Sequence, residues 1–224
     1  MNQLETEISA LKSELVSMWI LVQSQFNKAK EAMLQFDKDL AREVMVKEKR
    51  VNSFELKIDR DCENILALYC PVAIDLRFLL ATLKINTNLE RIGDIAAGIA
   101  KYIVESPVNF DMEALEKSQV LRMYEEAVNI LMDTRTAFEK EDTVLARSIF
   151  KRDDVLDQIN MDAASNIGEL IKSDISNINE SLYILSIIRK LERVGDQSMN
   201  IAEEIIFYVE AKILKHAESG KSGE

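Results

Sequence analysis

Glycine and proline are scarce in this chain of 224 residues, which contains six glycines and two prolines. Sheet-rich folds need many turns, and these two residue types form a large share of them. Their scarcity argues against a sheet-rich fold. It predicts long helices joined by few connections.

Histidine and cysteine are also rare. The one histidine, His216, lies in a polar C-terminal segment that we expect to be frayed. This argues against a Ser-His-Asp triad, a zinc-bound catalytic water and the Glu-x-x-His motifs of di-iron bundles. Cys62 and Cys70 form no Cys-x-x-Cys pair, so we expect reduced thiols in a cytosolic protein. The chain also has no Gly-x-x-x-x-Gly-Lys loop for nucleotide phosphates, and we expect no enzyme.

Positive charge is in deficit, since the formal net charge is −11. Nucleic-acid binding and docking on anionic lipid both rely on lysine and arginine, so neither is expected. The longest apolar run, around residues 15–22, is broken by Ser17 and is shorter than the ~20 residues of a membrane span. No signal-like segment opens the chain. These absences predict a cytoplasmic protein without membrane insertion.

Apolar residues recur at steps of three and four from Leu4 to Val22, which is the spacing of one helix face. Similar patterns, with Asp39, Asp111, Asp142 or Thr143, and an Asn177–Glu180 capping box as start signals, extend along the whole chain. The predicted helices cover about 4–37, 39–70, 73–104, 112–139, 143–172 and 177–215. Cys70 precedes Pro71, which favours an extended conformation at Cys70.

The third and sixth predicted helices contain the same polar block. Residues 89–100 read LERIGDIAAGIA and residues 191–202 read LERVGDQSMNIA, with seven of twelve positions identical at an offset of 102. A weaker match upstream has an offset of 105, as in Leu40-Ala41-Arg42 and Leu145-Ala146-Arg147. A period near 100 residues indicates a duplicated small domain. The sequence therefore predicts an all-α fold of two tandem antiparallel three-helix bundles, at 1–106 and 107–216, followed by a flexible tail at 217–224.

Carboxylates repeat at i, i+4 spacing inside the duplicated helices, which places each pair on one helix face. The pairs are Glu90 with Asp94, Glu192 with Asp196, Asp153 with Asp157 and, in weaker form, Glu48 with Asn52; Asn200 and Glu203 extend the stripe on the last helix. Adjacent like charges destabilise a helix unless cations compensate them. One interpretation is a structural network of cross-helix ion pairs with Arg77, Arg91, Arg189 and Arg193. The other is a hard metal ion bound by oxygen ligands.

Two glycines, Gly93 and Gly195, lie inside these helices at a cost of up to ~1 kcal/mol each relative to alanine. They indicate either the close approach of a neighbour at the polar stripe or tight packing alone. The residues leave both readings open.

The motifs resemble those of the PhoU family of phosphate-uptake regulators. The resemblance rests on PVAIDLR at 71–77, KINTNLERIGD at 84–94, IRKLERVGD at 188–196 and NIAE at 200–203, and it covers about residues 1–215. It implies two three-helix bundles, usually dimeric, in the bacterial or archaeal cytoplasm. It also implies restraint of a phosphate ABC transporter through its ATPase subunit, and of a phosphate-sensing histidine kinase.

The resemblance further implies that Mg, Mn, Fe or Zn ions can bind at the acidic motifs. The candidate metal ligands are Glu48, Glu90, Asp94, Asp153, Asp157, Glu192 and Asp196, and the candidate partner-binding residues are Arg77, Arg91, Arg193 and Asn200. Two residues depart from the family pattern, because Asn52 replaces an expected aspartate and Gln197 replaces a frequent histidine. The first half is therefore the poorer metal site.

Two alternatives to a regulatory adaptor remain at this point. One is a metal-dependent phosphate-binding or hydrolytic helical protein, which would need a nucleophile or general base beside the metal. The other is a purely structural bundle, in which the acidic stripe affects stability alone.

Overall fold

Seven α-helices make up most of the structure, a computed structural model that describes residues 2–214. Their bounds are α1 Gln3–Gln35, α2 Lys38–Tyr69, α3 Ala73–Glu105, α4 Met112–Lys117, α5 Val120–Lys140, α6 Thr143–Ser173 and α7 Ile178–Glu210, with a 3₁₀ turn at Ile175–Asn177. No helix within residues 2–214 is long and apolar enough to cross a membrane. His216 and the predicted tail at 217–224 lie outside the described residues.

Polar caps begin most of the helices. Asn2 and Glu5 form a capping box at the start of α1, in which Glu5 N donates to Asn2 Oδ1 at 2.8 Å and Asn2 N donates to Glu5 Oε2 at 2.9 Å. Asp142, one of the two start signals that the sequence offered with Thr143, caps α6 by accepting from Val144 N and Leu145 N.

Helix ends follow from the scarcity of glycine. Residues with side chains adopt the left-handed conformation that glycine usually supplies at this position, namely Phe36, Cys70 and Glu141 with φ of 52°, 46° and 55°. The prediction that Cys70 is extended was therefore wrong, because the need to end α2 outweighs the restriction imposed by Pro71.

Several predicted helix boundaries also need correction. Asp37, rather than Asp39, caps α2, because its side chain reaches the free N–H groups of Asp39 and Leu40. The long helix expected from Met112 is divided into α4 and α5, since Gln119 adopts φ 60° and turns the chain. α7 ends at Glu210, where Ala211 takes φ 58°, instead of continuing to about residue 215.

The start of α7 is held by a contact across the second half. The Glu180 carboxylate accepts a short hydrogen bond from Asp111 N, so it fastens α7 to the residue that caps α4. The predicted capping box also involves the Asn177 side chain, which lies outside the described residues. Asp174 caps the preceding 3₁₀ turn through Ser176 N.

The all-α prediction of tandem helical bundles is confirmed. Helices α1, α2 and α3 pack together, as do α5, α6 and α7, with α4 against the start of α5. Helices α3 and α7 also pack against each other along their length. They run antiparallel, since Phe78 contacts Tyr208 near one end and Tyr102 contacts Tyr183 near the other. We call this contact the seam.

The hydrophobic core is continuous across the two bundles. Phe78 of α3, Phe138 of α5 and Tyr208 of α7 form a cluster of aromatic rings with centroids 5.6–6.3 Å apart. The Trp19 indole, fully buried, donates to Leu131 O at 3.3 Å and joins α1 to α5. Buried side chains of both bundles are in contact, so the two bundles share one core. The division into domains at residues 106 and 107 therefore stays a prediction.

Candidate functional site

The second half places four predicted carboxylates on facing sides of α6 and α7. We call Asp153, Asp157, Glu192 and Asp196 the second acidic cluster. Asp153 is only 4% exposed, and its Oδ1 atom has no hydrogen-bond partner among the described residues. Burial, followed by the charges of Asp157, Asp196 and Glu192, raises the pKa of Asp153 to about 7. A buried carboxylate without partners is costly, so this cluster needs a proton or a cation.

Glu192 and Asp196 of the second acidic cluster are also unfavourable as charged groups. Burial, then the charges of Asp196 and Asp157, raises the pKa of Glu192, and burial with Asp157 raises the pKa of Asp196. Arg193 opposes both shifts as a nearby cation. The carboxylates thus lie close enough to repel one another. Among the described residues, no positively charged side chain neutralises them fully.

Gly195 explains how Asp153 fits. A Cβ atom at Gly195 would overlap Asp153 Oδ1 and would lie 2.7 Å from Leu156 Cδ1. Gly195 therefore lets α6 place its carboxylate directly against α7, which is the close approach at the polar stripe that the sequence left open. Gly93, its duplicate in α3, instead packs on apolar atoms, with Val51 Cγ1 3.2 Å from the equivalent Cβ position.

The first half holds a related but weaker arrangement. Glu48, Glu90 and Asp94, together with Glu55, form what we call the first acidic cluster. Burial, followed by Asp94, Glu55 and Glu48, raises the pKa of Glu90 to about 7. Here Asn52 replaces the aspartate found at position 157, and its Nδ2 donates to Glu48 Oε1 at 2.9 Å. This hydrogen bond occupies part of a ligand position, and Glu48 is half-buried rather than buried like Asp153.

Glu55 was not among the predicted site residues. Burial, then Asp59 and Asp94, raises its pKa, which shows that it belongs to the same electrostatic group as Asp94. Glu55 follows Asn52 by three residues on α2, so the helical spacing contained a signal. Its duplicate at an offset of 105 is Asn160, however, and a search for acids present in both halves passes over it.

The predicted arginines do not form the cross-helix ion-pair network. Within residues 2–214, Arg77, Arg91, Arg189 and Arg193 make no ion pair. Arg193 is exposed and acts electrostatically on Asp94, Glu192 and Asp196. Arg77 lies near the end of the seam marked by Phe78 and Tyr208, where its Nε donates to Tyr208 O at 3.2 Å.

Arg91 and Asn200 lie together at a groove of about 420 Å³ on the seam, lined also by Lys84, Thr87, Asn88 and Glu204. The structure thus brings two of the four predicted partner-binding residues to one surface. Arg77 and Arg193 are not part of that lining.

The predicted metal ligands supply oxygen donors only. Within residues 2–214, no group of three or more His, Cys, Asp or Glu side chains is arranged to hold a metal ion. The donor set nevertheless fits a hard cation, because the second acidic cluster consists of oxygen donors and includes the unpartnered Asp153 Oδ1. Structural zinc sites more often contain cysteine or histidine, so magnesium, manganese or oxidised iron suits these ligands better.

Most of the chain matches the model of a known protein family. The model of the PhoU domain matches it twice, at residues 15–103 and 120–205. The chain belongs to the PhoU family. The two matches coincide with the two bundles, and the polar motifs at 84–94 and 188–196 fall at corresponding places within them.

Similar proteins extend over nearly the full chain. A PhoU homolog of Thermotoga maritima, named as a phosphate-specific transport system accessory protein, is 30% identical over 98% of this chain and 96% of its own length. The Escherichia coli accessory protein PhoU is 30% identical over 96% of this chain and 88% of its own.

Solved structures of the family match the fold. The crystal structure of PhoU from Pseudomonas aeruginosa has a TM-score of 0.85 and 30% identity, covering 94% of this chain and 100% of that one. The regulatory protein PhoU of the phosphate transport system from Streptococcus pneumoniae also has a TM-score of 0.85, at 28% identity, covering 94% and 99% of the two chains.

Proposed function

We propose that this protein is a non-enzymatic regulator of phosphate transport that docks on its partner through the second acidic cluster. The family membership supports the phosphate-transport role, since its relatives are named as accessory proteins of phosphate-specific transport systems. The observation that supports the docking face is Asp153, a buried carboxylate with an unpartnered oxygen beside three further acids.

A hard cation would neutralise this cluster. Asp153, Asp157, Glu192 and Asp196 are the residues that would hold it, and the bound ion would supply the positive charge that the surrounding side chains do not. The protein contributes the position of each carboxylate, set by α6 and α7, and the close approach allowed by Gly195. The first acidic cluster is the weaker cation site, because Asn52 donates a hydrogen bond to a Glu48 oxygen that would otherwise be available to the cation.

The proposal includes finer points drawn from the family resemblance. The protein acts in the cytoplasm as a homodimer and negatively regulates high-affinity phosphate uptake. Its partners are the ATPase subunit of the phosphate ABC transporter and the phosphate-sensing histidine kinase. Arg91 and Asn200, which share one groove, are proposed as further partner contacts.

The duplicated chain provides a matched experiment. Glu192→Gln with Asp196→Asn removes two charges from the second acidic cluster, and Glu90→Gln with Asp94→Asn removes the equivalent two from the first. Each protein would be mixed with the purified transporter ATPase subunit, at high and low phosphate, with and without chelator. Co-elution on size exclusion and the binding constant would be measured.

We expect binding of the unchanged protein to fall in chelator and to fall in the second-half variant, with a smaller loss in the first-half variant. Circular dichroism would verify that both variants remain helical. Equal binding by folded second-half variant and unchanged protein would contradict the proposed docking face. Binding that is insensitive to chelator would retain the regulator and give the cation a structural role only.

A further inference from the structure

A group of basic side chains lies on the seam of this acidic protein. We call Lys101 of α3 and Arg189, Lys190 and Arg193 of α7 the basic cluster. Within residues 2–214, the three α7 residues form no ion pair, and Lys101 has only a long contact of 3.7 Å with the exposed Glu105. In a chain of net charge −11, these four cations form a local patch of positive charge.

The position of Lys190 is built by its neighbours. A Cβ atom at Gly98 would lie 2.5 Å from Lys190 Nζ, so the glycine provides the space into which the ammonium extends. The ammonium also lies 5.4 Å from the ring centroid of Tyr102, in a cation–π contact. Glycine and tyrosine thus hold Lys190 across the seam, close to Lys101.

The neighbouring charges leave Lys190 in a positive environment. Arg193 and Lys101 lie close enough to Lys190 to repel its ammonium group, while Asp94 attracts it. Asp94 of α3 interacts with both Lys190 and Arg193, while Glu192 and Asp196 interact with Arg193. An additional anion would relieve the repulsion among the cluster's cations.

The duplication provides an internal comparison. At the offset of 102, the positions equivalent to Lys101, Arg189, Lys190 and Arg193 are Glu203, Thr87, Asn88 and Arg91. One copy therefore has four cations where the other has one cation and one acid. The nearby Lys84, moreover, is already paired with Glu204, at 2.9 and 3.0 Å from its two oxygens. The unpaired positive charge belongs to one side of the seam only.

From this arrangement, we infer that the basic cluster of Lys101, Arg189, Lys190 and Arg193 binds a phosphate group. Arginine guanidinium groups suit the oxygens of a phosphate, and a lysine supplies a point charge beside them. The three α7 cations lie within the five residues from Arg189 to Arg193, which span only ~6 Å of helix, and this matches a compact, multiply charged anion. An extended acidic peptide, at ~3.3 Å per residue, would need a longer basic stripe.

Binding of a phosphate group can be tested on the full chain without any transport partner. Binding of inorganic phosphate to the full chain would be measured by titration calorimetry, at constant ionic strength. Excess chelator would be present throughout, so that a cation on the acidic clusters cannot hold the phosphate. Vesicles with and without phosphatidylglycerol would form a second arm, because a lipid headgroup presents the same chemical group.

The test variant is Arg189→Gln with Lys190→Gln. The control is Arg60→Gln with Lys151→Gln, which removes the same total charge outside the basic cluster; Arg60 is an exposed residue of α2 and Lys151 of α6. We expect saturable phosphate binding whose affinity falls about tenfold or more in the test variant and stays within about twofold in the control. Circular dichroism and the melting temperature would establish that both variants are folded.

Two results would overturn the inference. One is an equal loss of affinity in the test and control variants, which would indicate attraction to net charge alone. The other is the absence of saturable binding in both the phosphate arm and the vesicle arm. Vesicle binding that requires Arg189 and Lys190, without binding of free phosphate, would support the site and identify lipid as the source of the phosphate group.

Discussion

Gly195 of α7 lies directly against the Asp153 carboxylate of α6, and no larger residue fits between them. The Cβ of an alanine at this position would overlap Asp153 Oδ1 and crowd Leu156 Cδ1. The glycine in the duplicated motif thus has a steric reason in the second half. Its loss should disturb both the packing and the acidic cluster.

Gly195→Ala is expected to lower the free energy of unfolding by about 1–3 kcal/mol, because overpacking exceeds the gain of ~1 kcal/mol in helix propensity. The control is Gly93→Ala, where the nearest atom is Val51 Cγ1 at 3.2 Å and a small shift of one methyl group suffices. We expect the control to stay within about 1 kcal/mol of the unchanged protein. Urea denaturation would measure both, and similar losses would contradict the steric account.

Stability should fall as pH rises from about 5 to 8 in the presence of chelator. The folded-state pKa values of Asp153 and Glu90 are raised to about 7, whereas the unfolded chain has ordinary carboxyl values near 4. Between these values the folded state binds more protons, so its advantage is complete below pH ~4 and is lost as pH rises through 7. Denaturation at a series of pH values would give the slope.

The same measurement on Asp153→Asn should show a flatter pH dependence, and a gain of about 2 kcal/mol over the unchanged protein at pH 8. Asp162→Asn, an exposed change on the same helix, is the control and should keep the original slope. An identical slope in all three proteins would show that Asp153 does not titrate in this range.

The buried end of the Lys84–Glu204 ion pair predicts an asymmetric mutational response. Glu204 is 5% exposed, and Lys84 supplies its cation. Lys84→Met is expected to cost about 2 kcal/mol, since it leaves a buried carboxylate unpaired. Adding Glu204→Gln should recover much of that loss, which a double-mutant cycle would quantify.

The exposed pair Lys172–Glu169 provides the control for this cycle. Lys172→Met should leave stability nearly unchanged, because solvent screens that pair. A loss at Lys172 as large as at Lys84 would remove burial as the explanation.

Gln119 offers a stabilising change. Its φ of 60° lies in the left-handed region, which is unfavourable for a residue with a side chain by about 1–2 kcal/mol. Gln119→Gly removes this cost but gives the unfolded chain more freedom, so we expect a net gain of about 0.5 kcal/mol. Glu116→Gly, inside α4, should instead destabilise by about 1 kcal/mol. Thermal unfolding of the two variants would separate these signs.

The helices and their duplication could be predicted because they depend on periodic patterns within short windows. The break at Gln119 could not, because the residues around it have no glycine or proline and continue the helical pattern. The turn forms where tertiary packing buries Leu115 and Val120 on either side of it. Likewise, Glu180 has the spacing of a capping-box residue, but its carboxylate accepts a tertiary hydrogen bond from Asp111 N.

The acidic pairs were accessible from their i, i+4 spacing on single helices. The environment of Asp153 was not, because it depends on the register between α6 and α7, which no single-helix pattern contains. The basic cluster was missed for a similar reason: Lys101 and Lys190 are 89 positions apart in sequence and meet only when the seam forms. Spacing rules therefore found the residues of one helix face but not the charges that face them.

The antiparallel seam has a further consequence for recognition. Two similar halves related by a duplicated motif would offer a partner two nearly equivalent orientations, each making the same contacts. Three differences remove that equivalence. The four cations lie on one side of the seam, the Lys84–Glu204 pair lies on the other, and Asn52 stands at the position equivalent to Asp157. The two orientations are therefore not equivalent, and a partner that recognises the charge pattern can bind in one orientation only.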